Sequence, residues 1–177
     1  MKHALFFLLL GLSYPAISAD FRLLNFGDSC EELVSRETAA GSQLTSAVDE
    51  RYIFEGRHLN REASIIYQCL DGLLSRGTYA LRFDDFATAK RFFLEQEPEF
   101  ILDYGVPKVD QAAENYLDYM ESIGFKIKDE HKYVLYWELE TRNILFAATA
   151  PSSRSAHATV AIDINPREHG AIQHHRH

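Results

Sequence analysis

The sequence predicts an α+β domain: a mostly antiparallel sheet with helices packed on one face, in the order helix, three strands, helices, three strands. Three observations carry that prediction. In His157–Ile164 the apolar residues Ala158, Val160, Ile162 and Ile164 alternate at period two. Phe86, Ala89, Phe92 and Phe93 recur instead at helical spacing. Finally, the strand-like segments come in hairpin groups rather than singly between helices, which disfavours a parallel α/β arrangement.

Residues 1–19 of the 177 read as a secretory signal. Lys2 supplies its positive end, Ala4–Leu12 its apolar run, and Ser13–Ala19 a small-residue cleavage region ending at Ala19. The apolar run is far short of the roughly 20 residues that a helix needs to cross a bilayer. No cysteine follows the cleavage point to take a lipid, so no stable membrane anchor is expected after signal removal. A single domain is expected over 20–164, then a His-rich, disordered tail over 165–177. The implied location is periplasmic or secreted.

Phe21–Phe26 has the composition of a short strand. A first helix is expected next, opened by a capping box that pairs either Ser29 with Glu32 or Asp28 with Glu31. Leu33 and Val34 give it a thin apolar stripe, and Gly41 limits it. Gly41–Glu50 is polar and reads as irregular. Tyr52–His58 is a strand, and Leu59–Ala63 turns into the long hairpin Ser64–Phe83.

Two turns are open to that hairpin. A three-residue loop at Leu70-Asp71-Gly72 sets Cys69 opposite Leu73 and gathers Ile65, Tyr67, Tyr79, Leu81 and Phe83 with them. Gln68, Arg76 and Arg82 then go to the other face, a cleaner separation than a two-residue Asp71-Gly72 turn gives. Asp84 or Asp85 can cap the next helix, which Pro98 is expected to kink or end and Gly105 with Pro107 to stop. A third helix is predicted from Asp110, with Ala112, Ala113, Tyr116, Leu117 and Met120 on one face; Phe125–Lys132 is undecided. Three strands close the chain: Tyr133–Glu140, Ile144–Ala150 and His157–Ile164. A four-residue loop at Glu140–Asn143 pairs Leu139 with Ile144 and Trp137 with Phe146. Pro151–Ala156 reads as a plain connection.

The chemistry legible in the chain is sparse. With 26 acidic against 18 basic residues the net charge is −8, which disfavours nucleic-acid binding and favours solubility. In an oxidising compartment the two cysteines, Cys30 and Cys69, read as one structural disulfide. The rival reading, Cys30 as a reactive thiol at a helix N-terminus, lacks a Cys-x-x-Cys or a nearby His. No hydrolase, phosphate-loop or dinucleotide motif is present. Asp84 with Asp85, and Glu138 with Glu140, are the carboxylate pairs that acid–base hydrolysis would need; a helix cap for the first pair and a solvated strand face for the second are the preferred explanations.

His169, His174, His175 and His177 crowd the tail without a spacing that fixes metal geometry, so no metal and no cofactor is expected. His58, His131 and His157 read as isolated surface or hydrogen-bonded residues. Twelve Phe, nine Tyr and one Trp make aromatics the unusual bulk feature. Most suit core packing, but Tyr136 falls opposite Trp137 on its strand and is the candidate exposed interface residue.

At Phe26–Leu33 the chain reads FGDSCEEL, a Gly, a cap residue and an acid opening a helix. In this it resembles small bacterial envelope proteins of the SmpA/OmlA and β-lactamase-inhibitor-like type. The resemblance implies a small α+β protein that is not an enzyme and acts by contact. The chain departs from that type by lacking a lipobox cysteine and by an additional helix, and no functional residue carries over. The expected function is therefore a soluble secreted or periplasmic protein that binds another envelope protein; the alternative is a hydrolase with a carboxylate-based site.

Overall fold

The structure is a computed structural model that describes residues 19–110, 133–151 and 156–167. The expectations for the signal segment, for the third helix with Phe125–Lys132, for most of the Pro151–Ala156 connection and for the tail histidines lie outside the described residues.

The fold is α+β and antiparallel. It runs α1 (Leu33–Ala39), β1 (Gln43–Val48), β2 (Arg51–His58), β3 (Arg61–Leu70), β4 (Leu73–Phe83), α2 (Phe86–Tyr104), β5 (Val109–Asp110), β6 (Val134–Glu138), β7 (Arg142–Thr149) and β8 (Ala158–Pro166). One eight-stranded sheet takes the order β1-β2-β3-β4-β8-β7-β6-β5. It consists of two meanders, β1–β4 and β5–β8, joined where β4 meets β8.

Opposed residues on neighbouring strands share a face. One row runs Phe54–Ile65–Tyr79–Ile162–Phe146–Leu135, and the next runs Tyr52–Tyr67–Gly77–Ile164–Ile144–Trp137. This inner face is the core. Phe93 and Phe100 of α2 stack on Phe146 at 4.3 Å each, and Phe92 meets Phe83 at 5.3 Å. Toward β1–β4 the same face is covered by α1, through the Cys30–Cys69 disulfide, and by Phe21, which lies against Tyr67 and Tyr79. Phe21 fits because Gly77 lies beneath it: a Cβ there would fall 2.1 Å from the Phe21 ring.

Several expectations are corrected. The first meander has four strands, because Gln43–Val48, expected to be irregular, is β1. As an edge strand it needs no alternating apolar pattern. Phe21–Phe26 is not a strand: Phe21 and Leu24 exchange backbone hydrogen bonds of 3.0 Å across a tight turn, with Arg22 at φ 52°. The capping box does not form. The helix starts at Leu33 with no side-chain cap, and the Ser29 hydroxyl accepts from the Glu31 N–H instead. Ser29 is held away by a backbone bridge to Leu73.

The β3–β4 hairpin uses the two-residue turn, with Asp71 and Gly72 at φ 53° and 75°. A bulge beyond Gln68 restores the expected partition for Tyr67, Tyr79, Leu81 and Phe83, so Leu74 is buried and Leu73 is 46% exposed. The β6–β7 hairpin is also tighter than expected: Trp137 faces Ile144 and Leu135 faces Phe146. Pro98 lies on the exposed side inside an unbroken α2, where water can satisfy the carbonyl left without its N–H. The domain extends past residue 164, since β8 includes Asn165 and Pro166.

Candidate functional site

The carboxylates that suggested hydrolysis are not brought together. Asp85 caps α2, its Oδ1 accepting from the Thr88 N–H at 2.8 Å, and these bonds hold its carboxyl below the usual range. Asp84 beside it is exposed. Glu138 is paired with Lys108 and with Arg167 at 2.8 Å, and Glu140 is exposed in the β6–β7 turn. Among the described residues no three His, Cys, Asp or Glu gather in a metal-binding arrangement.

Tyr136 falls on the face opposite Trp137. It is half-buried, set between Val109 of β5 and Leu145 of β7. Trp137 points into the core, where its indole N–H donates to the Gly105 carbonyl at 2.7 Å. Tyr136 ends a row along the outer face, the face that carries neither α1 nor α2: Ile53–Ile66–Thr78–Asp163–Leu145–Tyr136.

At the centre of that row Asp163 is buried, held bidentately by Arg76 and by the Thr78 hydroxyl at 2.8 Å. Arg51, Gln68 and Arg76 form the neighbouring row, with Ile66 behind them in a shallow groove. Arg57 and Arg82 project from the same side, against Glu55 and Glu62. The outer face of the first meander therefore leans basic on a chain whose net charge is −8. Its exposed aliphatic end is Val48, Leu70 and Leu73.

A second concave feature lies on the inner side. A cleft of about 260 Å³ opens between α2 and the N-terminal segment, lined among others by Arg22, His58, Tyr79, Phe100, Tyr104 and Arg142. Arg142 donates to the Asp20 carbonyl at 3.0 Å and so ties β7 to the start of the described chain. Behind the cleft the fully buried Glu37 accepts from Arg22 Nε at 2.7 Å and from the Tyr67 hydroxyl, while Arg22 also donates to the Ser42 hydroxyl at 3.1 Å. Burial, the Glu37 hydrogen bond and the Glu37 charge push the Tyr67 phenol well above its ordinary range. Nothing in the sequence marked this network, because Glu37 belongs to a helix that reads as polar.

His58 stacks flat on Tyr79, ring centres 3.7 Å apart. Burial first, then the nearby Arg22 charge, lowers its pKa to about 4 from 6.5. The unfolded chain therefore binds a proton that the folded chain refuses. Stability falls as pH drops from about 6.5 toward about 4 and levels off below, by about 2 kcal/mol after screening at the partly open side of the ring. Unfolding titrations across that window on wild type and His58→Phe will show the variant losing this part of the slope. Parallel slopes would mean that His58 protonates freely in the folded protein.

Neither protein-family models, curated proteins nor solved structures give a match to this chain.

Proposed function

We propose that the protein is a secreted or periplasmic binding protein, not an enzyme, that acts by contact with another envelope protein through its outer sheet face. The observation that carries this reading is the face itself. A row of half-buried aliphatic side chains, Ile53, Ile66 and Leu145, runs beside exposed arginines on a side that neither described helix covers. Aliphatic anchors with a polar rim are what a protein interface uses. The basic lean suits a partner surface that is aliphatic at its centre and acidic at its rim.

The location is supported by the Cys30–Cys69 disulfide and by the signal-like N-terminus. No helix among the described residues is long and apolar enough to cross a membrane. The resemblance to SmpA/OmlA and β-lactamase-inhibitor-like proteins supports action by contact, although the helix-opening motif that suggested it does not form the expected cap.

The test is a tagged chain at native expression, captured from envelope extract beside the variant Ile66→Glu/Leu145→Glu. A partner retained by wild type and lost by the variant, with both folded, is the expected result. Identical recoveries from the two chains would remove the outer face from consideration.

A further inference from the structure

The cleft between α2 and the N-terminal segment carries charge that the fold does not use. Rings line much of it: Phe21, His58, Tyr79, Phe100 and Tyr104. Burial lowers the His58 pKa to about 4, so at neutral pH His58 presents an uncharged ring stacked on Tyr79. The two arginines at the cleft are already engaged. Arg22 is held by the buried Glu37 and by Ser42. Arg142 is held by the Asp20 carbonyl, with the Asp20 carboxylate 3.9 Å away.

The acids of α2 at the rim are not engaged. Glu99 and Asp103 both line the cleft, both are exposed, and neither has a cation or hydrogen-bond donor among the described residues. Their placement is unfavourable to α2 itself. They stand one turn apart, where like charges repel, and they fall toward the C-terminal end of the helix, where its dipole is negative. No basic residue lies in the last turn to offset them. A local cost of this kind, kept beside a ring-lined cleft, is relieved by a cation that the chain itself does not supply.

We propose that the cleft binds a small organic cation, an amine or quaternary ammonium with a short apolar body. The cationic group meets Glu99 and Asp103 at the rim, and the apolar body enters among the rings. At about 260 Å³ the cleft is smaller than the roughly 300–1,000 Å³ of drug-sized sites, which limits the ligand to a small one. An anion is disfavoured because both guanidinium groups already have acceptors. The cleft is on the inner side of the sheet, so the inference does not rest on the outer face proposed for partner binding.

Calorimetric titration of the protein with phenethylammonium is the test, beside phenylacetate and 2-phenylethanol as probes of similar size with opposite or no charge. Phenethylammonium should bind at least tenfold more tightly than either, and Glu99→Gln/Asp103→Asn should weaken it at least tenfold. Asp84→Asn/Glu140→Gln removes the same charge from exposed positions elsewhere and should leave the affinity unchanged. The Glu99→Gln/Asp103→Asn chain should melt no lower than wild type, because it relieves repulsion within α2. Absence of phenethylammonium binding at millimolar concentration overturns the inference. So does phenylacetate binding as tightly, or a cation that both double variants weaken alike. A Glu99→Gln/Asp103→Asn chain that melts lower than wild type overturns it too, by showing the two acids already used within the fold.

Discussion

Arg22→Met should cost about 3–5 kcal/mol, the penalty for leaving a buried carboxylate without its cation. Glu37 is fully buried, its Oε1 takes both the guanidinium and the Tyr67 hydroxyl, and its Oε2 has no hydrogen-bond partner. Water cannot readily replace Arg22, because Glu37 and Tyr67 are at 0% exposure and Ser42, the other group Arg22 bonds, is buried too. The cost belongs to breaking the group, not to the net worth of its bonds. The triple variant Arg22→Met/Glu37→Leu/Tyr67→Phe removes all three polar partners at similar volume and should recover most of the loss. Urea unfolding of the three proteins decides the matter. If the single and triple variants are equally unstable, the apolar bulk of Arg22 and not its charge is what the fold requires.

The second large effect concerns the disulfide. Cys30→Ala/Cys69→Ala should lower stability by about 4 kcal/mol, the loop-closure entropy of a span of this length. The two residues are 39 apart in sequence and both buried, so alanine leaves no unsatisfied hydroxyl. The crosslink also joins the segment that enters α1 to the end of β3, beside the turn whose Asp71 and Gly72 N–H groups donate to Glu50. Denaturant midpoints of the alanine pair against wild type measure the effect. A loss under about 1 kcal/mol would show that the unfolded chain already keeps the two segments close.

The disulfide was legible because two cysteines behind a signal-like N-terminus have one way to pair. The fold class was legible from period-two runs such as Ala158–Ile164. Register was less so. In the β6–β7 hairpin, moving the pairing from Leu139–Ile144 to Trp137–Ile144 shifts it by two residues and leaves every side chain on its face, so hydrophobic pattern cannot choose. The β3–β4 turn failed for a related reason. A two-residue turn followed by a bulge mimics the facing of a three-residue loop everywhere except at Leu73 and Leu74.

β1 was hidden because an edge strand with only Leu44 packed against the core carries almost no burial signature. The buried network was hidden because its members lie far apart: Arg22 in a left-handed turn, Glu37 on a polar-looking helix, Tyr67 in mid-strand. Asp163 lies between the apolar Ile162 and Ile164, where period-two alternation turns a side chain outward. It does face outward, but Arg76 and Thr78 enclose it.

The junction of β4 with β8 sets the order in which the chain can become whole. Thr78 and Asp163, opposed across that junction, are 85 positions apart by their numbers. The β1–β4 strands pair in sequence order and can form locally, but this pairing must wait for the last strand. A chain made N-terminus first therefore spends an interval with the flank of β4 unpaired and the Arg76 guanidinium lacking its carboxylate. Throughout that interval it is open to mispairing with other chains. Arrival of β8 ends it by closing both meanders at once, and the Arg76–Asp163 pair fastens the junction from the outside.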